Sequence, residues 1–437
     1  MSLKNKQKDA INIGIIGFGN VGQGVFDILA KNQLAIEGRL GKPLVIRRIV
    51  VRNVARYQDL NIGDAILSDQ VSDILEDPNI QIVAEAMGGE YPAYDFITKA
   101  LENKKFVVTA NKEVIAKHKV HFFDLAKKNG VDIYFEAAVG GGIPIIRLFK
   151  VGYAANQITG LYGILNGTTN YILTKMYEEN MEFSVALKQA QEAGFAEADP
   201  TADISGLDSA YKLVILTFVA FKLNVSIDKI SYTGIESVSL KDLQVAAKLG
   251  YRIRLIAMAK LIDENMMLAV RPMLIKEDHP LAQVRNEFNA IFSVGNAKGE
   301  SMAYGKGAGA LPTGSAVISD LVDIAFDIQP GNEQNISRRN LERVVGDATL
   351  IEAQEMRSSY FLRVHTKNEP GVLEQVVRIF SEASINLDKV IQTEASDEGA
   401  EIVLITQEMP HLKKEACITQ LSSLDTVTEV VSVFALL

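Results

Sequence analysis

Ile11-Asn12-Ile13-Gly14-Ile15-Ile16-Gly17-Phe18-Gly19-Asn20-Val21-Gly22 decides the fold. Its first six residues form a β-rich run, and Val21, Val25, Ile28 and Leu29 then fall on one helical face. In a GxGxxG turn between a strand and a helix, each glycine has its own physical reason. Gly17 permits the tight turn, Gly19 lets backbone N–H groups approach a pyrophosphate, and Gly22 lets the helix pack on the strand. Further buried-strand candidates follow at 44–51, 80–86, 106–109 and 131–135, with helical periodicity at Ile97, Ala100 and Leu101. Strands alternating with helices predict a Rossmann-type doubly wound α/β domain over 1–140. The helical pattern at 315–326 is expected to return to it, with return helices over about 311–345.

Past this domain the pattern changes. Gly140, Gly141 and Gly142 stand in a row before Pro144, and residues 141–310 carry longer, irregular apolar segments and acidic loops, which read as an α+β domain. A polar connection leads to a compact ferredoxin-like βαββαβ unit over 358–437. Its expected strands are 360–366, 385–393, 401–407 and 427–434, with a turn at Asp397-Glu398-Gly399. One helix is expected to bury Leu373, Val376, Val377 and Phe380, and a second to begin near His411.

Of 437 residues, 48% are hydrophobic and 23% charged, the balance of a soluble globular protein, and the formal net charge of -9 argues against nucleic acid or an anionic membrane as partner. Cys417 is the single cysteine, as a reducing compartment favours. The polar N-terminus does not read as a secretory signal, and no uninterrupted apolar run reaches a membrane-spanning length. A cytoplasmic protein without membrane or nucleic-acid partners is expected.

Several clusters carry chemistry. The second strand ends in Arg52, with Arg56 following and no acidic residue before Asp59, so a 2′-phosphate is favoured over a free ribose hydroxyl and NADP over NAD. Thr109-Ala110-Asn111-Lys112 sits at the C-terminal edge of a parallel strand, where such sheets bind ligands. Glu197, Asp199, Asp203, Asp208 and Lys212 crowd before the apolar run 213–221. Asp208 and Lys212 share a helix face, and a buried lysine beside carboxylates suits proton transfer to a carbonyl oxygen. The segment from Glu136 to Pro144 offers backbone carbonyls of the kind hard cations take, or simply a turn. Asn166-Gly167-Thr168-Thr169-Asn170 fits a polar substrate and a helix-capping turn equally well. The five histidines, His118, His121, His279, His365 and His411, build no catalytic or metal constellation.

Together, and in this order along nearly the whole chain, these motifs resemble bacterial homoserine dehydrogenases that carry a C-terminal ACT domain; Gly305-Lys306-Gly307-Ala308-Gly309 matches the family's late glycine loop. The resemblance implies reversible reduction of L-aspartate 4-semialdehyde to L-homoserine with NADP(H), NAD(H) being the alternative, on the route to threonine, methionine and isoleucine. It implies Lys212 as proton donor with Asp208 beside it, and Lys112 near the reacting carbon and the nicotinamide, in a place that would also suit a proton donor. Glu197 and Asp203 would hold the amino-acid end of the substrate, with Asp199, Asn166 and Thr168 nearby. Gly17, Phe18, Gly19, Asn20, Val21, Gly22, Arg52, Arg56, Lys112 and Gly307 would meet the coenzyme. The carbonyls of Glu136, Val139, Gly141 and Ile143 match the family's sodium site.

The second domain would also form the interface of a homodimer or homotetramer. The last domain would bind an amino-acid effector, threonine first, at Asn368, Gly371, Val372 and Leu373. Gly371 leaves helix-start N–H groups open to a carboxylate, while Asn368 can face an ammonium. Two other readings stand beside this one, a different ACT-bearing dehydrogenase such as a prephenate-type enzyme and a non-enzymatic amino-acid sensor. Neither accounts for the segment from Glu197 to Lys212.

Overall fold

The computed structural model describes residues 10–331, 346–396 and 399–437, so the stretch 332–345 of the expected return helices and Asp397 and Glu398 of the expected turn lie outside the described residues. Two compact units emerge, each drawn from three stretches of chain. Of the described residues, one takes those up to 158 with 211–229 and those within 289–347; the other takes 159–210, 230–288 and those from 348 onward.

The first unit is built on six parallel strands in the order β3-β2-β1-β4-β5-β6. These are β1 (Ile11–Ile16), β2 (Leu44–Val50), β3 (Ile66–Ser68), β4 (Ile82–Glu85), β5 (Phe106–Thr109) and β6 (Ile133–Tyr134). The order reverses between β1 and β4, which opens a crevice at the strands' C-terminal ends. β3 was not expected from the sequence, because its three residues are half exposed and too short to show a period. Helix α1 (Asn20–Leu40) follows the glycine turn and α2 (Lys112–Asn129) follows β5.

Two glycine contacts fix this unit. Gly17 has φ of +94°, and a Cβ at Gly22 would lie 2.3 Å from the Gly17 carbonyl oxygen, so α1 sits closer to the turn than any side chain allows. The helix Ala310–Asp327, longer at both ends than the expected 315–326, crosses α1 backbone to backbone. A Cβ on Gly24 would stand 2.2 Å from the Ala310 carbonyl oxygen, and one on Gly314 would stand 2.7 Å from the Gly24 carbonyl carbon. Val25, Leu29, Leu321 and Ile324 complete a buried apolar layer around the crossing.

The second unit holds one long sheet, in the order β7-β8-β9-β13-β10-β12-β11. Its first members are β7 (Ile158–Ile164), β8 (Tyr251–Ile262) and β9 (Asn265–Lys276), with α3 (Gly167–Glu179) behind β7. The βαββαβ module follows as β10 (Tyr360–Thr366), α4 (Val372–Glu382), β11 (Leu387–Ser396), β12 (Gly399–Thr406), α5 (His411–Ser422) and β13 (Val427–Leu436). β13 pairs with β9 at Met273–Ala435 and Leu274–Leu436, so the module continues the sheet of the preceding segment. The apolar face of α4 is Val372, Val376, Ile379 and Phe380; Leu373, expected inside, is exposed because the helix begins at Val372 and its phase turns Leu373 outward.

A buried ionic knot ties the module down. Arg363 on β10 donates from Nε to Asp242 (2.8 Å) and from Nη1 to Glu401 (2.8 Å), all three at most 4% exposed. Asp242 also takes a hydrogen bond from Ser432 (2.6 Å) and forms a capping box with Ser239 at the start of the Leu240–Lys248 helix. Breaking such a knot by removing one partner strands a charge, whereas the intact set is satisfied.

The glycines of α1 predict opposite outcomes. Gly24→Ala should cost roughly 1–3 kcal/mol through overpacking. Gly38→Ala, exposed in the same helix with nothing within 4 Å of its Cβ, should stabilise by about 0.5–1 kcal/mol. Urea denaturation of both variants checks the pair.

Candidate active site

The crevice of the first unit is a cavity of about 630 Å³. Gly17, Phe18, Gly19, Arg52 and Arg56 all line it, so five of the residues expected to meet a coenzyme are brought together. A Cβ on Gly19 would touch nothing, so this glycine answers to open space rather than to packing. Asn20 and Val21 open α1, and Gly22 lies beneath the turn. Tyr57 stands edge-on to Phe18 (5.7 Å) with the Arg56 guanidinium 5.7 Å from its ring centre, which gives the cavity an aromatic and cationic flank.

The next strand ends carry a polar group that the sequence motifs did not single out. Glu85 ends β4 and is 1% exposed. The Met87 N–H donates to it (2.6 Å), as does the Thr109 hydroxyl, and burial pushes its carboxyl up to about 7 against those hydrogen bonds. Its signal was a lone acidic residue closing an apolar strand at the sheet's ligand-binding edge. Asn111 caps α2 by accepting from the Val114 N–H (3.2 Å) and donates to the Gly89 carbonyl (2.7 Å), which sets Lys112 in the first turn of that helix, half-buried.

Helix Leu207–Phe221 runs parallel to α2. The Lys117 ammonium lies 5.8 Å from the Tyr211 ring centre, and Phe123 stacks on Phe218 at 5.5 Å. Lys112 and Lys212 therefore lie toward the same, N-terminal ends of two neighbouring helices. Lys212 is half-buried rather than buried as expected, because the fully buried apolar stretch begins one residue later, at Leu213.

In the second unit one amide organises the acidic segment. Asn166 is 4% exposed; its Nδ2 donates to Asp203 (2.7 Å) and to Asp208 (2.8 Å), while its Oδ1 caps α3 by accepting from the Thr169 N–H (2.8 Å). The helix-capping reading of the motif therefore holds, and the same side chain also binds two carboxylates. Thr168 donates to the Phe195 carbonyl (2.6 Å) and, at 3.3 Å, to Asp203. Asn170 instead donates to the carbonyls of Asn286 (2.9 Å) and Phe288 (3.2 Å), a structural anchor. Asp208 begins the helix that carries Lys212 one turn later. Glu197 and Asp199 stand apart on an exposed loop, where Thr201 hydrogen-bonds the Asp199 carboxylate and holds it below its usual range.

The segment around Glu136 is buried except at Gly142 and Pro144, and Gly140 and Gly141 have φ of +75° and +54°. The Glu136 carboxylate accepts the N–H groups of Ile146 (2.7 Å) and Arg147 (2.8 Å), and its own N–H donates to buried Asp320 (2.8 Å). The two glycine stretches meet: Gly142 N–H donates to the Lys306 carbonyl (3.0 Å), and a Cβ on Gly141 would lie 2.5 Å from the Gly307 carbonyl carbon. At the module's turn Gly371 has φ of +87° and open space at its Cβ position, and Val372 is buried.

A doubly wound domain with this cavity at its switch point, followed by a carboxylate-lysine helix, defines a nucleotide-dependent oxidoreductase. Family models for the homoserine dehydrogenase NAD-binding domain, homoserine dehydrogenase and the ACT domain match residues 17–136, 144–322 and 360–415. The homoserine dehydrogenase of Bacillus subtilis (strain 168) is 37% identical over 428 residues, 97% of this chain and 98% of that protein. The crystal structure of a homoserine dehydrogenase from Thiobacillus denitrificans superposes with a TM-score of 0.93 at 36% identity, covering 98% of each chain. A hyperthermophilic archaeal homoserine dehydrogenase in complex with NADPH matches 73% of this chain and 99% of its own, with a TM-score of 0.63 and 26% identity. The chain belongs to the homoserine dehydrogenase family, oxidoreductases acting on a CH–OH group.

Glu85 makes a pH prediction. With its folded pKa near 7, above the ordinary 4.5, the folded chain holds a proton there that the unfolded chain gives up, so this contribution is full below about 4.5 and is lost as pH rises through 7. Glu85→Gln, which mimics the neutral acid, should remove on the order of 2–3 kcal/mol of the fall in stability between pH 5 and pH 8. Denaturant titrations of both proteins at the two pH values measure it.

Proposed function

We propose that this chain interconverts L-aspartate 4-semialdehyde and L-homoserine with NADP(H), as a cytoplasmic enzyme of threonine, methionine and isoleucine biosynthesis. The observation that carries the reading is the Asn166 hub with Asp203 and Asp208, followed one turn later by Lys212. A bound nicotinamide supplies the hydride in reduction and accepts it in oxidation. Lys212 donates a proton to the aldehyde oxygen as that oxygen gains charge, and takes it back from the alcohol in the reverse direction. Asp208, fixed by Asn166, keeps the ammonium oriented. Asp203, held by the same amide, and Glu197 receive the substrate's ammonium end. Lys112, at the start of α2, stands near the reacting carbon and the nicotinamide.

Arg52 and Arg56 pair with the coenzyme's 2′-phosphate, and the open space at Gly19 receives the pyrophosphate. Buried carbonyls between Glu136 and Ile143 suit a sodium ion, held by Glu136, Val139, Gly141 and Ile143; among the described residues no group of three acidic, histidine or cysteine side chains offers a metal another place. The module over 358–437 binds an amino-acid effector, threonine first, at Asn368, Gly371, Val372 and Leu373. β11 ends the sheet and leaves an edge along which two copies can pair, in a dimer or tetramer. Among the described residues no helix is long and apolar enough to cross a membrane.

Oxidation of homoserine, followed by nicotinamide absorbance with NADP and NAD in parallel, tests the assignment; no turnover with either would remove it. Lys212→Ala should lower kcat by ~10²–10⁴-fold while NADPH affinity, read by fluorescence titration, changes little. A variant within a few-fold of the parent kcat would move the proton to Lys112. Arg52→Ala should raise KM for NADP by roughly 10–100-fold and leave NAD nearly unaffected, a charge-assisted contact being worth about 1.5–3 kcal/mol. Equal losses with both coenzymes would give the discrimination to Arg56.

A further inference from the structure

The long sheet carries a second cavity, of about 180 Å³, where β9 meets the C-terminal module. Arg271 of β9, Tyr360 at the start of β10, and His411 and Lys414 of α5 line it, with the hydroxyls of Ser231 and Thr233 at the side; no acidic residue is among its lining. None of these groups takes part in the reaction proposed above.

Its polar groups are incompletely paired. Tyr360 is 2% exposed and its hydroxyl has no hydrogen-bond partner. The Nε and Nη2 atoms of Arg271, the two N–H donors along one edge of the guanidinium, are buried and likewise lack one. The two side chains are near enough that the guanidinium pulls the phenol's pKa down, by its charge and by a side-chain contact, against the burial that raises it, but that contact falls short of a well-formed hydrogen bond. Buried donors left open cost free energy comparable to a lost hydrogen bond, and a parallel N–H edge matches two oxygens of one oxyanion. Lys414 adds positive charge from above the Tyr360 ring, 5.5 Å from its centre, although Glu415 at 2.5 Å offsets part of it. Apart from Ser237, the remaining wall, including Met356 and Phe434, is made of apolar residues.

We propose that this cavity is a binding site for a small carboxylate of about amino-acid size, its two oxygens on the Nε–Nη2 edge of Arg271 and the Tyr360 hydroxyl, and its short apolar body against Met356 and Phe434. The site is separate from the turn at Gly371, on the other side of the module's first strand in sequence, and does not depend on the effector reading given to that turn. A carboxylate seated here bridges β9, β10 and α5, and so strengthens the docking of the module on the sheet.

The test uses the full chain, with acetate, L-threonine and inorganic phosphate as probes against chloride at constant ionic strength, and reads thermal midpoint and calorimetric binding. Acetate or L-threonine should bind saturably and raise the midpoint. Tyr360→Phe, which keeps the ring, and Arg271→Lys, which keeps the charge but loses the parallel edge, should each weaken that binding at least tenfold. Gly371→Ala should leave it unchanged. Homoserine oxidation without added probe should be the same in Tyr360→Phe as in the parent. Binding by phosphate but not by either carboxylate would overturn the ligand class. Binding untouched by Tyr360→Phe and Arg271→Lys, or lost in Gly371→Ala alone, would overturn the site, as would no binding of any probe by the parent chain.

Discussion

A carboxylate taken out of water has to find hydrogen-bond donors or give up its charge, and in this chain that requirement ties together parts of the sequence far apart along the chain. Glu136 takes the N–H groups of Ile146 and Arg147, and Asp320 takes the Glu136 N–H from 184 residues away, which fixes the buried glycine segment between them. Asp203 and Asp208 share the Asn166 amide, so the start of α3 and the acidic segment hold one geometry. Asp242 and Glu401 share Arg363. Glu85 takes the Met87 N–H and the Thr109 hydroxyl instead of a cation, and burial still pushes its carboxyl up to about 7.

The Asn166 arrangement bears directly on the proton transfer proposed above. An amide has two N–H donors and one strong acceptor, and here all three are engaged, two by carboxylates and one by the helix it caps. The same rotamer that satisfies an open donor at the helix start also spaces the acids. A proton-transfer site needs its partners held to a few tenths of an ångström, and tying them to a helix terminus achieves this with backbone already ordered by folding.

How much of this was legible in the sequence follows from the range of each interaction. Strands β1, β2, β4 and β5 and the start of α1 are written locally, in apolar runs and in glycines whose steric reasons act over five residues. The acidic segment was visible as a cluster, and the family motifs supplied its order. The partner of each acid was not visible, because Asn166 and Asp208 stand 42 residues apart and Arg363 and Asp242 stand 121 apart. Short elements failed for a different reason: three residues of β3 cannot display a period, and the phase of α4 depends on a start at Val372 that only the left-handed Gly371 sets. Cavities lined from four or more segments, such as the one at Arg271, have no local signal at all.

The Arg363 knot also speaks to ancestry. A C-terminal module that merely hung from a linker could be gained or shed by a single gene fusion or truncation. This one supplies the guanidinium and the Ser432 hydroxyl that satisfy Asp242, and its last strand covers the edge of β9 at Met273 and Leu274. A lineage that dropped the module would inherit a buried acid with half its donors gone and a bare strand edge beside it, both costly in a folded protein. The Leu240–Lys248 helix, β9 and the module are therefore expected to be inherited as one block, with position 242 becoming neutral wherever the module is missing.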